Sequence, residues 1–292
     1  MGMIISASRR TDIPAFYAQW FMNRIKAGYC EVPNPFNPSQ IASVSLRPED
    51  VDVIVFWTRN PLPMLPHLME LNARGYRYYF LFTGMNNPRV MDPHGLPIEI
   101  ALDAFRVLAD CIGPEKVTWR YDPIVLTHHT DPDFHKRTFS HIAKELVGYT
   151  HRCIISTVNL YRKATSRLAR EEIKITHCGE SDFGDLMRFM GSEAHDRGMD
   201  IFSCAQPLNL DEYGIEHGKC VDDAYIRKVF GIEVTKKKDP SQRKACGCVI
   251  SKDVGMYDTC VFGCLYCYAT SSFEKARANF RKHNPDGSSL VS

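Results

Sequence analysis

Val53-Ile-Val-Phe-Trp-Thr58 and Tyr78-Tyr-Phe-Leu-Phe-Thr83 are two unbroken apolar runs rich in β-branched and aromatic residues. A helical pattern, Pro66–Arg74, lies between them and ends at Gly75. Continuous rather than alternating apolarity marks strands buried on both faces, as in a parallel sheet covered by crossover helices. The same unit recurs outward in both directions. Further strands are expected at Ile4–Ser8, Val117–Tyr121, Cys153–Val158, Asp200–Ser203 and Cys248–Ser251. Helices are expected at Pro14–Lys26, Ile98–Cys111, Asp133–Val147, Asp182–Arg197 and Tyr268–Phe280. Ala42–Leu46 sits too close to Val53 for an intervening helix and reads as an extra strand or an excursion. Repeated β-α units predict an α/β fold, a full or partial parallel (β/α) barrel of TIM type, with an open doubly wound sheet second. The expected domain runs over 1–283, followed by a polar, frayed tail at 284–292.

Composition narrows the function classes. The 292 residues are 44% hydrophobic, enough for a sizeable core. The 36 basic and 34 acidic residues leave a net charge of +2, which does not point to a dedicated nucleic-acid or membrane-surface protein. No apolar run approaches the length of a membrane span, and the N-terminus shows no basic-then-apolar leader. Eleven cysteines, an odd number without secretory context, suit a reducing compartment better than a disulfide framework. The expected location is therefore the cytoplasm. G-x-G-x-x-G, the P-loop, His-Glu-x-x-His and G-x-S-x-G are all missing.

The chemistry concentrates near the C-terminus, in Cys260-Val-Phe-Gly-Cys264-Leu-Tyr-Cys267, followed by Tyr268-Ala269. This C-x3-C-x2-C spacing supplies three thiolates on one tight loop. A cubane iron–sulfur cluster is ordinarily held by four cysteines, so three leave one iron open to a small molecule. The loop resembles the motif of the radical S-adenosylmethionine (SAM) superfamily. The whole chain also resembles DUF1848, a family of unknown function with a radical-SAM-like cysteine cluster at its C-terminal end. The matching stretches are Ser8–Pro14, Phe56–Pro61, Trp119–Pro123, Gln242–Cys248 and the cysteine loop. Cys-Leu-Tyr-Cys-Tyr-Ala, at 264–269, is more weakly similar to spore photoproduct lyase. In most radical SAM enzymes the three cysteines follow the first strand; here they come last. A circularly permuted order is expected, with the cysteine unit lying beside Ile4–Ser8.

The resemblance implies that Cys260, Cys264 and Cys267 hold a [4Fe–4S] cluster with SAM on the open iron. Reductive cleavage of SAM would then yield a 5′-deoxyadenosyl radical that takes hydrogen from a substrate. A small electron donor of flavodoxin or ferredoxin type is the implied partner. Phe262 and Tyr266 would shield the cluster, with Tyr266 near the adenine. Polar residues at strand ends are the candidate ligands: Ser8 and Arg9 for the carboxylate and amino group of SAM, Arg10 as a further cofactor-binding candidate, and Arg59, Arg120 and Asp122 for ribose or substrate. Cys204, Cys220, Cys246 and Cys248 read as a second metal site, an iron–sulfur cluster or tetrahedral zinc. The contrasting reading is a metal-stabilised nucleic-acid-binding module that uses Lys236, Lys237, Lys238, Arg243, Lys244, Lys275, Arg277, Arg281 and Lys282. The sequence does not name a substrate.

Overall fold

The computed structural model describes residues 2–176 and 178–291. Ten strands run β1 Met3–Ala7, β2 Tyr29–Asn34, β3 Asn37–Ser45, β4 Val51–Thr58, β5 Tyr78–Thr83, β6 Val117–Ile124, β7 Arg152–Thr157, β8 Asp200–Cys204, β9 Glu216–Gly218 and β10 Lys252–Asp253. The helices are α1 Ile13–Phe16, α2 Ala18–Ala27, α3 Leu68–Ala73, α4 Ile98–Ile112, α5 Pro132–Glu145, α6 Arg162–Arg170, α7 Glu180–His195, α8 Asp223–Phe230 and α9 Phe273–Lys282. Eight strands form one sheet in the order β10-β1-β4-β5-β6-β7-β8-β9, every neighbouring pair parallel. The full, closed barrel among the expectations is not formed. The sheet keeps two edges, β10 and β9, without ladder hydrogen bonds between them.

Both sheet faces are buried, which is why the strand sequences do not alternate. Ile5, Ile54, Phe56, Phe80 and Phe82 point one way, into the core shared with α2, α4, α5 and α7. Ile4, Val53, Val55, Tyr79, Leu81 and Ile154 point the other way and pack with Tyr225 and Ile226 of α8. The Tyr79 hydroxyl donates to the Cys220 carbonyl at 2.6 Å, which joins β5 to the segment after β9.

The last strand lies beside the first, as the permuted arrangement requires: Ile5 pairs with Lys252 and Ser6 with Asp253. Its position differs from the expectation at Cys248–Ser251. Those residues bond elsewhere, Val249 N to Val221 O at 3.1 Å and Ile250 N to Lys237 O at 2.9 Å. Ala42–Leu46 belongs to an antiparallel hairpin, β2 with β3, off the main sheet. The helix expected over Pro14–Lys26 breaks at Tyr17, whose hydroxyl reaches the Thr259 carbonyl at 2.6 Å. The final helix starts at Phe273 rather than Tyr268, because Ser271 is held by Asp258 and Ser272 supplies the N-cap. β9, α6 and α8 are additions to the expected elements; each is short, at three, nine and eight residues.

The tail does not fray. Trp20 Nε1 donates to Gly287 O at 2.9 Å, Glu31 N to Ser288 O at 2.8 Å, and Leu290 is buried. Met1, His177 and Ser292, which the expected boundaries included, lie outside the described residues. Among the described residues no helix is long and apolar enough to cross a membrane. Because Leu290 is 1% exposed, Leu290→Ala is expected to cost about 2 kcal/mol, read as a lowered denaturation midpoint in urea with an unchanged slope.

Candidate functional site

The C-terminal ends of the parallel strands open into a cleft of about 290 Å³. Ligand sites in open α/β sheets lie at this end of the strands. Ser8, Arg9, Arg10, Arg59, Arg120, Asp122, Tyr266, Cys260, Cys264, Cys267, Cys204 and Cys220 all line the cleft. Cys246 and Cys248 do not line it and are buried.

The cysteine loop enters from one side and is rigidly supported. Arg167 of α6 donates to the carbonyls of Cys267 (3.0 Å), Leu265 (3.3 Å) and Thr270. Leu265 N bonds to Met91 O at 3.0 Å. Gly263 adopts φ +75, and a Cβ there would sit 3.1 Å from Pro93 Cγ, so the turn between Cys260 and Cys264 needs glycine. Cys260, Cys264 and Cys267 are half-buried, and no hydrogen bond joins any two of them. Burial, with Cys267 and Asp12 nearby, pushes the Cys260 thiol up to about 12. Burial and Asp92 likewise push Cys264 well up. Protonated thiols of this kind become thiolates when a metal takes them.

Donors already point at the sulfurs. Arg59 Nη1 lies 2.9 Å from Cys264 Sγ, and the Ala269 amide 3.3 Å from Cys267 Sγ. Such contacts tune metal–thiolate sites. The Arg59 guanidinium is also clamped on both oxygens of Asp92, at 2.8 and 2.9 Å. The Tyr266 hydroxyl donates to Asp92 at 2.6 Å, and Asn87 Nδ2 donates to the same carboxylate at 3.1 Å. Asp92 is buried, yet Arg59 with Tyr266 holds its carboxyl below the usual range. Arg59 is therefore committed to the loop rather than free for a ribose. Tyr266 is likewise occupied at its hydroxyl, and only its ring remains available.

Asp253 organises the opposite wall. It accepts from Ser6 Oγ (2.6 Å), Ser8 Oγ (2.7 Å), Arg9 N (2.8 Å), Arg10 Nε (3.0 Å) and Gly255 N (3.0 Å). Burial opposes its charge, but Arg10 and these donors hold its pKa below 3.8. Ser8 and Arg10 are thus spent inside the protein. A Cβ at Gly255 would lie 2.0 Å from Ser8 Oγ, so this approach also needs glycine. Arg9 is different. Nη1 donates to Ser251 at 3.0 Å and the guanidinium covers Trp57, but Nη2 is buried without a partner. Arg120 Nε and Thr11 Oγ1 are also unpartnered and line the cleft. Arg120 pairs with Asp122, which also accepts from Ser156. Burial pushes Asp12 up to about 7, against the amides of Arg59 and Ala15, which favour its ionised form.

Cys204, Cys220, Cys246 and Cys248 do come together, on the inner face of the sheet. Cys204 and Cys220 Sγ are 3.3 Å apart. Among the described residues no three His, Cys, Asp or Glu side chains already stand as a finished set of metal ligands. Three of the basic residues in the nucleic-acid reading have acidic neighbours. Lys275 pairs with Asp258, Arg277 with Glu274, and Lys236 with Glu233.

Asp92 and Asp253 were not singled out from the sequence. Each is an acidic residue outside any local motif, and its importance lies in partners far along the chain. Asp253→Asn is expected to cost roughly 3 kcal/mol by stranding Arg10 beside a neutral amide. Because the folded pKa is depressed, the wild-type contribution is present above pH 3.8 and is lost as pH falls through the folded value. The substituted protein should show a shallower acid limb in stability measured by denaturant titration across pH.

Neither the curated proteins nor the solved structures offer a match to the chain. A family model matches residues 4–269, from the first strand through the cysteine loop. The chain belongs to the family described as Domain of unknown function (DUF1848).

Proposed function

We propose that this protein is a radical SAM enzyme in circularly permuted order, with a partial (β/α) barrel presenting the reaction site. The observation that carries the reading is the set Cys260, Cys264 and Cys267. They are three thiols on one braced loop, not bonded to one another, facing a cleft at the C-terminal strand ends. The donor set fits a [4Fe–4S] cluster with one iron open, since three soft ligands with amide and guanidinium donors behind them suit iron–sulfur binding. When bound, the cluster and SAM supply one-electron cleavage of a C–S bond and a carbon radical able to take hydrogen from a substrate.

The chain's own residues bind, orient and shield. Arg59 lends positive charge to Cys264 and is fixed there by Asp92. Phe262 and Tyr266, both buried, keep water from the loop. Arg9, Thr11 and Arg120 present the unpartnered donors, which suit the carboxylate of SAM or an anionic substrate. The tight pairing of Ser8 and Arg10 with Asp253 places Arg9 rather than recruiting all three as ligands. The reductant is expected to be a small flavodoxin- or ferredoxin-type protein. No observation favours the nucleic-acid module.

Anaerobically reconstituted, dithionite-reduced protein should give a [4Fe–4S]⁺ EPR signal that changes when SAM is added. Cys264→Ala should lose that signal and SAM cleavage. A wild-type protein that takes up neither iron nor sulfide under these conditions would overturn the reading. Arg9→Ala should keep the cluster signal but weaken SAM binding by roughly tenfold or more, the effect of removing one charged hydrogen bond. Unchanged SAM titration of the EPR signal would reassign Arg9.

A further inference from the structure

We propose that Cys204, Cys220, Cys246 and Cys248 bind a single thiophilic divalent cation, zinc, as a tetrathiolate clasp between the two edges of the sheet. The site is independent of the cysteine loop and of the reading given to it.

The four thiols form one buried cluster, the cysteine ring: Cys204 and Cys220 Sγ are 3.3 Å apart, and Cys248 Sγ accepts from the amide of Val221, next to Cys220, at 3.3 Å. All four are buried, with Cys248 only 1% exposed. A single buried cysteine packs as a small hydrophobe, but here three separate stretches of chain, at Cys204, Cys220 and Cys246–Cys248, bring four thiols into one cluster. The ring matches the donor set of a structural zinc site, which is closed and carries four protein ligands.

Spacing separates the candidate occupants. Zinc–sulfur bonds of about 2.3 Å place tetrahedral sulfurs about 3.8 Å apart. The observed Cys204–Cys220 separation of 3.3 Å needs to open by only about half an ångström, once the thiol protons leave to solvent and repulsion between sulfurs is offset by the ion. A cubane binds each thiolate to a different iron at its outside and asks the sulfurs to stand much further apart. The loop cysteines show that contrast within this molecule, since no thiol–thiol hydrogen bond links them. Charge also fits. Four thiolates around a divalent ion carry a net charge of −2, and the Arg9 guanidinium lies against Cys248, with Arg120 near Cys220.

Position gives the clasp its role. Cys204 ends β8 and Cys220 follows β9, at one edge of the sheet. Cys246 and Cys248 lie in the segment that leads to β10, the strand at the other edge, and Cys248 already meets the Val221 amide. The backbone link on this path is Val249 N to Val221 O, with Val221 N bonded to Cys248 Sγ beside it. A metal here replaces the missing strand pairing and fixes the floor of the cleft, since Cys204 and Cys220 line it.

The test uses the full chain with Cys260→Ala, Cys264→Ala and Cys267→Ala combined, which removes the loop thiols and keeps the ring; Cys30, Cys111, Cys153 and Cys178 remain but lie outside it. Metal and acid-labile sulfide are measured after purification, and cobalt(II) is titrated into chelator-treated protein. The expected result is one zinc per chain without sulfide, and a visible cobalt spectrum with thiolate charge transfer and tetrahedral d–d bands. Adding Cys246→Ser and Cys248→Ser should abolish both, and circular dichroism checks that this variant is folded. Zinc removal should raise hydrogen exchange in β9 and residues 246–250 at least tenfold. A variant without the loop thiols that binds no metal and gives no tetrathiolate cobalt spectrum overturns the proposal, as does one that holds iron with sulfide. Because the loop cysteines are missing throughout, neither outcome depends on radical SAM chemistry.

Discussion

Asp253 holds the two ends of the chain together. Its carboxylate collects Ser6, Ser8, the Arg9 amide and Arg10 from the first strand and its turn, and its own strand pairs in parallel with β1. The strand is two residues long, too short to hold that edge by ladder bonds alone. Charge-assisted bonds supply what the ladder lacks. The segment that follows Asp253 starts from this attachment and is then held by further contacts, Tyr17 on Thr259, Arg167 on the cysteine loop and Trp20 on the tail.

Two consequences shape the cleft. The turn after β1 is pinned so that Arg10 faces inward to the carboxylate while Arg9 extends over Trp57 toward the cysteine ring. Across the cleft a second carboxylate, Asp92, does the corresponding work on Arg59 and so brings a cation onto Cys264. Both sites pair a buried acid with an arginine, which is stable only because hydrogen bonds satisfy the remaining lone pairs. The result is a pocket whose walls are neutralised and whose few open donors, on Arg9, Thr11 and Arg120, remain for a ligand.

The two cysteine sets occupy opposite relations to that pocket. The loop thiols stand apart and face the open space, an arrangement suited to a reactive centre. The ring thiols cluster behind the pocket's floor, where Cys204 and Cys220 stand 3.3 Å apart, an arrangement suited to holding parts together. A sheet with unpaired edges leaves backbone donors and acceptors without partners. A crosslink at the β8–β9 edge and the approach to β10 therefore acts where hydrogen bonding is weakest.

The sequence by itself determined the α/β alternation, the burial of both faces of Val53–Thr58 and Tyr78–Thr83, and the three-thiol loop. These are local properties, carried by composition and spacing over a few residues. It also indicated where the polar strand ends would gather, and Ser8, Arg9, Arg59, Arg120 and Asp122 do meet in one cleft. Only the tertiary structure decided which of them are free. Arg59 meets Asp92 across 33 positions and Arg10 meets Asp253 across 243, separations at which no periodicity carries information. The same holds for β9 and β10, whose two or three residues are strands only because a neighbouring edge accepts them, and for the tail, whose polar composition hid its docking on Trp20 and Arg24. Local pattern selects the elements; long-range charge pairing and edge contacts select which residues the site has left to use.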